Sequence, residues 1–151
     1  MNLKLPDEKG TLQLGAGLAA GATAGRVLHL RGDLGSGKTT LVRGLLRALG
    51  WSGRVKSPTY TLVELYPLSR LNLYHFDFYR FEDRAEWLNS GFRDYFNPDS
   101  VCIVEWPERA GDLIEPPDLD IHLQLDGNGR IASLSARSDA GRQWASLPSS
   151  R

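Results

Sequence analysis

The chain contains one glycine-rich octapeptide between two apolar segments. An apolar stretch, 26–31, precedes it, and an amphipathic stretch, 38–49, with leucines on one face follows it. Its residues are Gly32, Asp33, Leu34, Gly35, Ser36, Gly37, Lys38 and Thr39. Two glycines separated by four residues, then lysine and a hydroxyl residue, form the signature of a phosphate-binding loop between a strand and a helix. The sequence therefore predicts a P-loop that binds the phosphates of a nucleotide.

The residue types of this loop suit the chemistry of phosphate groups. Gly35 and Gly37 can adopt backbone angles closed to other residues, so that successive amides converge on phosphate oxygens. The N-terminus of the following helix adds a partial positive charge. Lys38 can reach the β- and γ-phosphates and the Thr39 hydroxyl can bind Mg²⁺, whereas Thr40 belongs in the first helical turn.

Two acids at the ends of predicted strands are candidates for the rest of the site. Phosphoryl transfer needs a carboxylate for Mg²⁺ and a group that orients the nucleophile. Asp77 and Glu105 each end an apolar run, and we take both as catalytic and metal-site candidates, with Glu105 favoured for contact with the metal or its water. Thr59 lies where nucleotide switches place a hydroxyl that senses the γ-phosphate. His75 shares the strand face of Asp77 and is a candidate supporting residue.

Composition limits the class of protein. The 151 residues suit one domain, 1–151, and 18 basic against 18 acidic side chains give a formal net charge of zero. That balance argues against a protein that grips nucleic acid alone, because such domains usually carry a basic excess. There is no apolar run long enough for a membrane span and no signal-peptide pattern, so we expect a soluble, cytoplasmic protein without membrane contact. The tail from about residue 139 is expected to be flexible.

The order of predicted elements indicates an α/β fold. Helices are predicted at 7–22, 38–49 and 83–89, and strands at 26–31, 60–66, 71–77, 101–105, 121–125 and 131–135. Asn128-Gly129 is a two-residue hairpin signal between the last two strands. A glycine loop between a strand and a helix lies at the carboxyl edge of the sheet, where ligands bind. We therefore expect a single P-loop NTPase domain whose mostly parallel central sheet is extended by antiparallel hairpins, with helices on both faces.

Four blocks of this sequence together resemble the bacterial TsaE family, the ATPase needed to make threonylcarbamoyladenosine in tRNA. They are residues 32–40 (Gly-Asp-Leu-Gly-Ser-Gly-Lys-Thr-Thr), 57–64 (Ser-Pro-Thr-Tyr-Thr-Leu-Val-Glu), 75–80 (His-Phe-Asp-Phe-Tyr-Arg) and 104–108 (Val-Glu-Trp-Pro-Glu). The resemblance covers nearly the whole chain, and the combination of blocks is far more specific than the P-loop alone. Ser36 replaces the commoner alanine, a small-for-small change.

The resemblance implies an activity and a set of partners that spacing alone does not show. It implies binding of ATP or ADP with Mg²⁺ and slow hydrolysis of ATP by the isolated protein. It also implies docking on a complex of two proteins, TsaB and TsaD, the second of which transfers threonylcarbamoyl to adenosine 37 of tRNAs that read ANN codons. Contact with tRNA is then only indirect, through the complex, and the sequence predicts no oligomeric state.

The resemblance also implies roles for matched residues. Lys38 binds phosphate and Thr39 binds Mg²⁺. Asp77 and Glu105 form the acidic part of the site, and Thr59 is the switch threonine, while their division of labour stays open. Two further positions match residues that contact the nucleotide, namely Trp106 near the active centre and Thr11 near the base.

Two other classes of P-loop protein remain as alternatives. A small-molecule kinase needs an acceptor pocket and an arginine-bearing lid, for which Arg80, Arg84 and Arg93 are the candidate cluster. A switch of the GTPase type normally selects guanine with an Asn-Lys-x-Asp segment, and this chain has none.

Overall fold

Seven strands form one sheet in the computed structural model, which describes residues 1–149. They are β1 (Asn2–Leu5), β2 (Val27–Arg31), β3 (Val63–Pro67), β4 (Asn72–Asp77), β5 (Ser100–Glu105), β6 (Leu119–Asp126) and β7 (Gly129–Ala136). Their order across the sheet is β1-β7-β6-β2-β5-β4-β3. β6, β2, β5 and β4 are parallel neighbours, whereas β1, β7 and β6 pair antiparallel at one edge and β3 and β4 at the other. The predicted α/β fold with a parallel centre and antiparallel extensions is confirmed.

Helices cover both faces of this sheet, as predicted. They are α1 (Glu8–Leu18), α2 (Lys38–Ala48), α3 (Arg84–Ser90), α4 (Pro107–Ala110) and α5 (Asp139–Ser149). Because side chains alternate along a strand, Leu28 and Leu30 of β2 face a core shared with α1, α2 and α5. Val27 of the same strand faces a second core, which includes Trp87 of α3. None of the helices in residues 1–149 has the length and apolarity to cross a bilayer.

Close packing of α1 on α2 brings the N-terminal part of α1 to the P-loop. A Cβ at Gly15 of α1 would overlap the backbone of Leu41, and one at Gly44 of α2 would overlap the backbone of Leu12. Both glycines therefore permit a helix separation that any side chain would increase. At this separation Thr11 is buried, and its methyl group lies 3.4 Å from a Cβ built on Gly37.

The C-terminal segment differs from the sequence-based expectation. Residues 139–149 form α5, and Trp144 is fully buried, with its indole N–H donating to the Leu18 carbonyl at 2.8 Å. A Cβ at Gly141 would overlap the backbone of Asp118, so the helix lies directly against the chain before β6. The expectation of a flexible tail from about 139 is therefore wrong for 139–149. Residues 150 and 151 lie outside the described part of the chain.

Two local boundaries are also corrected. Asp126 pairs with Gly129 across the last hairpin, so its two-residue loop is 127–128, one residue earlier than predicted. β3 begins at Val63 rather than at residue 60. The preceding residues form a turn in which the Leu62 amide donates to the Pro58 carbonyl at 2.8 Å.

Candidate functional site

Three neighbouring parallel strands carry the candidate residues to one edge of the sheet. The P-loop follows β2, Glu105 ends β5 and Asp77 ends β4. Glu105 is the register partner of both Leu30 on β2 and Asp77 on β4. The carboxyl ends of parallel strands meet at one edge, and the two acids accordingly lie side by side next to the glycine loop.

A cavity of about 380 Å³ opens at this edge, within the range of about 300–1,000 Å³ usual for small-molecule sites. Most of the predicted site residues line it, namely Thr11, Leu34, Gly35, Gly37, Lys38, Thr39, Thr40, Thr59, Asp77, Glu105 and Trp106. Gly32, Asp33 and Ser36 belong to the loop itself without lining the cavity. Residues that were separated by almost a hundred positions in sequence therefore share one concave surface.

The P-loop has the backbone shape that its glycines allow. Gly35 and Gly37 have φ values of 80° and 102°, in a region that disfavours side chains. Gly37 is the N-cap of α2, and the first bond of the helix runs from the Leu41 amide to the Gly37 carbonyl at 2.9 Å. The amides of residues 38–40 have no acceptor within the helix. Together with the helix dipole they form a site for an anion.

The Lys38 side chain folds back over the loop. Its ammonium donates to the carbonyls of Gly32 and Asp33 at 2.5 and 3.0 Å, and it lies 4.6 Å from the centre of the Trp106 ring. The side chain is only 4% exposed. Burial lowers the pKa of Lys38 from its usual value, while the carboxylates of Glu105 and Asp77 act in the opposite direction. The cavity therefore contains a cation that its neighbouring acids help to keep charged.

Glu105 joins the P-loop helix to β4. One carboxylate oxygen, Oε2, accepts a hydrogen bond from the Thr39 hydroxyl at 3.1 Å and lies 2.5 Å from His75 Nε2. Glu105 is 3% exposed and His75 is fully buried. The structure thus gives His75 a contact with Glu105, on the neighbouring strand, rather than the predicted support of Asp77. A carboxylate and a hydroxyl at hydrogen-bond distance are the kind of oxygen pair that holds a hard cation.

Asp77 binds the segment that precedes β3. Its Oδ2 accepts hydrogen bonds from the hydroxyls of Thr59 and Ser57 at 3.1 and 3.3 Å, and its Oδ1 accepts from the Tyr79 amide at 2.9 Å. The two hydroxyls are themselves 2.8 Å apart. Thr59, the predicted switch threonine, is therefore hydrogen-bonded to Asp77, whereas Glu105 is hydrogen-bonded to Thr39 of the P-loop.

Trp106 has a strained backbone at the end of β5. Its φ and ψ are 56° and 48°, a left-handed conformation that is uncommon for a bulky residue. The turn directs the indole over Lys38 and within 5.0 Å of the Tyr79 ring centre. Such strain is retained where the surroundings fix it, and it is concentrated at functional sites.

Some residues of the cavity were not predicted. Arg130, at the start of β7, donates to the carbonyls of Ser36 and Gly35 at 2.9 and 3.0 Å. Tyr79 and Asn128 also line the cavity, together with Asp7 and Glu8. Tyr79 lies in a family block and could have been singled out there, but nothing in the local pattern around Arg130 connects it with the P-loop.

The arginines considered for a kinase lid lie elsewhere. Among the described residues that line the cavity, none is Arg80, Arg84 or Arg93. The Arg80 guanidinium lies over the Tyr60 ring at 4.4 Å, and Arg84 pairs with Asp112 at 3.2 Å.

The donors at this edge fit Mg²⁺ bound together with a nucleotide. The described residues include no group of three or more His, Cys, Asp or Glu side chains that could hold a metal ion by themselves. Mg²⁺ in nucleotide sites is usually held by one or two protein oxygens, phosphate oxygens and waters. The Thr39 hydroxyl and the Glu105 carboxylate supply oxygens of that type.

Comparisons with known proteins match the chain to one family. The sequence model of the family described as "Threonylcarbamoyl adenosine biosynthesis protein TsaE" matches residues 5–132. Two similar proteins are each named "tRNA threonylcarbamoyladenosine biosynthesis protein TsaE". The Haemophilus influenzae protein is 44% identical over 116 residues, which are 77% of this chain and 73% of the relative. The Rickettsia conorii protein is 32% identical over 145 residues, which are 95% of this chain and 82% of the relative.

A solved structure has the same fold. The crystal structure of Bacillus subtilis YdiB superposes with a TM-score of 0.82 at 28% sequence identity, covering 99% of this chain and 94% of that chain. The similarity extends over α5 as well as the sheet, because the superposition covers nearly all of both chains.

Proposed function

This chain belongs to the TsaE family, and we propose that it is a Mg²⁺-dependent ATPase required to form the threonylcarbamoyl group on adenosine 37 of tRNAs that read ANN codons. The relatives' names support the role in tRNA threonylcarbamoyladenosine biosynthesis. The observation behind the ATPase is the meeting, in one cavity, of a P-loop, the Thr39–Glu105 contact and the Thr59–Asp77 contact.

The geometry of the P-loop supports the proposal that this site binds phosphate. The amides at the start of α2 and the Lys38 ammonium provide donors and positive charge for phosphate oxygens. In the structure Lys38 binds two loop carbonyls. These oxygens occupy the donors that would bind the anionic phosphate oxygens of a nucleotide. Trp106 covers the ammonium and limits its access to water, so its attraction to phosphate is screened less than it would be in bulk solvent.

Glu105 and Thr39 are proposed to hold Mg²⁺, which when bound neutralises charge on the phosphates. Thr39 and His75 both bind the same oxygen of Glu105. Its other oxygen, Oε1, makes no hydrogen bond with the described residues and stays available. His75 thus fixes the orientation of the carboxylate, as a partner behind a metal ligand commonly does.

Asp77 and Thr59 are proposed to orient the water that attacks the γ-phosphate. Asp77 is held by the Tyr79 amide on one oxygen and presents the other to Thr59. A hydroxyl that donates its proton to a fixed carboxylate presents its lone pairs to a water molecule. Asp77 then accepts the proton that the water loses, within a cavity where positioning supplies much of the rate.

The partners are proposed from the family and from the charge of the chain. A formal net charge of zero provides little counterion release on binding RNA. We therefore propose that the protein acts on a transferase complex of the TsaB–TsaD type in the cytoplasm, and that the complex contacts the tRNA. The kinase alternative receives no support from the cavity, since its arginine cluster lies outside.

The decisive experiment measures the modified nucleoside by mass spectrometry in cells depleted of this protein. Complementation with Lys38→Ala or Glu105→Gln is expected to leave tRNA without threonylcarbamoyladenosine, whereas Glu108→Gln restores it. Glu108 is an exposed acid three residues from Glu105 that does not line the cavity, which makes it a matched control. Normal tRNA modification with Glu105→Gln at equal protein levels would contradict the proposal that ATPase activity is required.

A further inference from the structure

Arg130 connects the last hairpin to the P-loop. It is the second residue of β7, where it pairs with Leu125 on β6 and with Leu5 on β1. From this position Nε donates to the Ser36 carbonyl at 2.9 Å and Nη2 donates to the Gly35 carbonyl at 3.0 Å. A third donor, Nη1, binds the Gly129 carbonyl at 2.8 Å. One planar group therefore holds two successive loop carbonyls while it is itself fixed to the hairpin.

This fork acts on the part of the loop that packing restrains least. A Cβ built on Gly35 meets nothing within 4 Å, and Leu34 beside it is 64% exposed. Glycine backbones are the most adaptable in a chain, so contacts from elsewhere must select one loop shape. The Arg130 fork supplies such contacts, because a guanidinium presents its donors in a rigid plane.

The fork also fixes the direction of loop amides. Each peptide group is planar, and the trans arrangement makes its C=O and N–H point in opposite directions. Holding the Gly35 and Ser36 carbonyls therefore sets the directions of the Ser36 and Gly37 amides. The Ser36 amide is bonded within the loop to Asp33 at 3.1 Å, and Gly37 lines the cavity. Arg130 of β7 thus fixes the direction of the Gly37 amide, which lies at the proposed phosphate site.

We propose that Arg130 is a positioning residue, which holds the P-loop in its phosphate-binding shape through its two-carbonyl fork. The proposal rests on the nucleotide site proposed above, and it assigns a function to a residue outside the P-loop and both acid-bearing strands. The competing explanation is charge alone, because Arg130 lines the cavity and any cation there would attract phosphate. Lysine separates the two explanations, since it keeps the charge and cannot hold two carbonyls in one plane.

The test compares nucleotide affinity in Arg130→Lys, Arg130→Met and Arg137→Met by calorimetry with ADP. Hydrogen bonds to charged groups are strong enough that losing the fork should weaken binding by about tenfold. We expect this loss in both Arg130 variants and less than a twofold change in Arg137→Met. Arg137 is an exposed arginine just beyond the other end of β7 and does not line this cavity. Wild-type affinity in Arg130→Met, or full retention in Arg130→Lys, overturns the proposal.

A second measurement needs no nucleotide and therefore separates this proposal from the proposed function. In ¹⁵N-labelled free protein, the amide signals of Gly35, Ser36 and Gly37 are expected to shift or broaden in Arg130→Lys and Arg130→Met. Signals of β2 and α5 should stay in place, which checks that the variants fold. Unchanged loop signals in both variants contradict the proposal even if nucleotide binding is weakened. If the loop signals change in the variants but the wild-type protein binds no nucleotide, the positioning role of Arg130 is supported and the proposed ATPase activity is refuted.

Discussion

The two halves of the cavity differ in how deeply their residues are buried. The P-loop half, which is residues 32–40 with Glu105 and His75, has an exposed loop tip at 33–35, but its functional side chains are anchored in buried structure. Glu105 and His75 are 3% and 0% exposed, and Lys38 is 4% exposed. In the switch half, which is residues 57–62 with Asp77, only Asp77 and Pro58 are buried. Tyr60 at its centre is 82% exposed. Residues with few buried contacts open at low free energy, so we interpret the first half as the binding platform and the second as the part that responds to the nucleotide.

The two acids differ in what holds them. Glu105 contacts a buried imidazole on the neighbouring strand and a hydroxyl of α2, both on regular elements. Asp77 binds hydroxyls of an irregular segment, in which Leu62 has a φ of 71°. Changes in the P-loop half should therefore lower affinity, whereas changes in the switch half should lower turnover with affinity preserved.

The largest effect on nucleotide affinity is expected for Lys38→Met. The substitution removes a buried cation and the charge-assisted bonds that it is proposed to make to phosphate, so affinity for ADP should fall on the order of 100-fold. Calorimetry measures it, with Lys9→Met on the exposed side of α1 as the matched control. Affinity within threefold of wild type would show that the loop amides alone hold the phosphates, and the P-loop half would then not need its lysine.

Glu105→Gln and Asp77→Asn test whether the acids divide their labour between the halves. Both variants should reduce ATP turnover by about 100-fold, because each loses a charge that acts on the reacting groups. Only Glu105→Gln should also raise the Mg²⁺ concentration needed for half-maximal turnover. A greater Mg²⁺ requirement in Asp77→Asn than in Glu105→Gln would reverse the assignment of metal and water.

His29 makes the strand that leads into the P-loop sensitive to acid. Burial lowers the pKa of His29 from 6.5 to about 4, with Asp120 and the Glu115 backbone raising it and Arg31 lowering it. Neither ring nitrogen makes a hydrogen bond of normal geometry with the described residues. The unfolded chain therefore binds more protons between pH 4 and 6.5, and stability is lost as the pH falls through that window. About 2 kcal/mol should be lost between pH 7 and 5.

Denaturant unfolding at both pH values measures this loss. His29→Leu should remove most of the pH dependence, whereas the exposed His122→Leu should leave it. An unchanged slope in His29→Leu would mean that other groups titrate in this window. ATP turnover should fall with this loss of stability only at pH values where the whole domain unfolds.

Much of the P-loop half could be predicted from sequence because its determinants are local. The glycine spacing, the preceding strand and the leucines of α2 all lie within 26–49. Glu105 and Asp77 could be proposed because strand ends of a parallel sheet meet at one edge. Their pairing with Thr39 and Thr59 could not, since it depends on the placement of β5 beside β2 and of β3 beside β4.

The elements that were missed depend on distant contacts. β1 has only four residues and gains its hydrogen bonds from β7. α5 contains Gly141 and Pro148, which weaken a local helix prediction. Ser138 does give a start signal, because its hydroxyl accepts from the Gly141 amide at 3.0 Å. Trp144 then stabilises the helix by packing under α1. Arg130 belongs to the same class, since its partners lie about 95 residues away.

The smallest effect tests the switch half directly. Thr59→Val replaces the hydroxyl that binds Asp77 with a methyl group of similar size, so turnover should fall by about tenfold, as expected for one hydrogen bond at a reacting group. ADP affinity should change less than twofold, because the P-loop half is untouched. Thr61→Val is the control, since Thr61 is exposed in the same segment and does not line the cavity. If Thr59→Val weakened ADP binding as much as turnover, the switch half would be part of the binding platform, and the difference between the two halves would be one of exposure only.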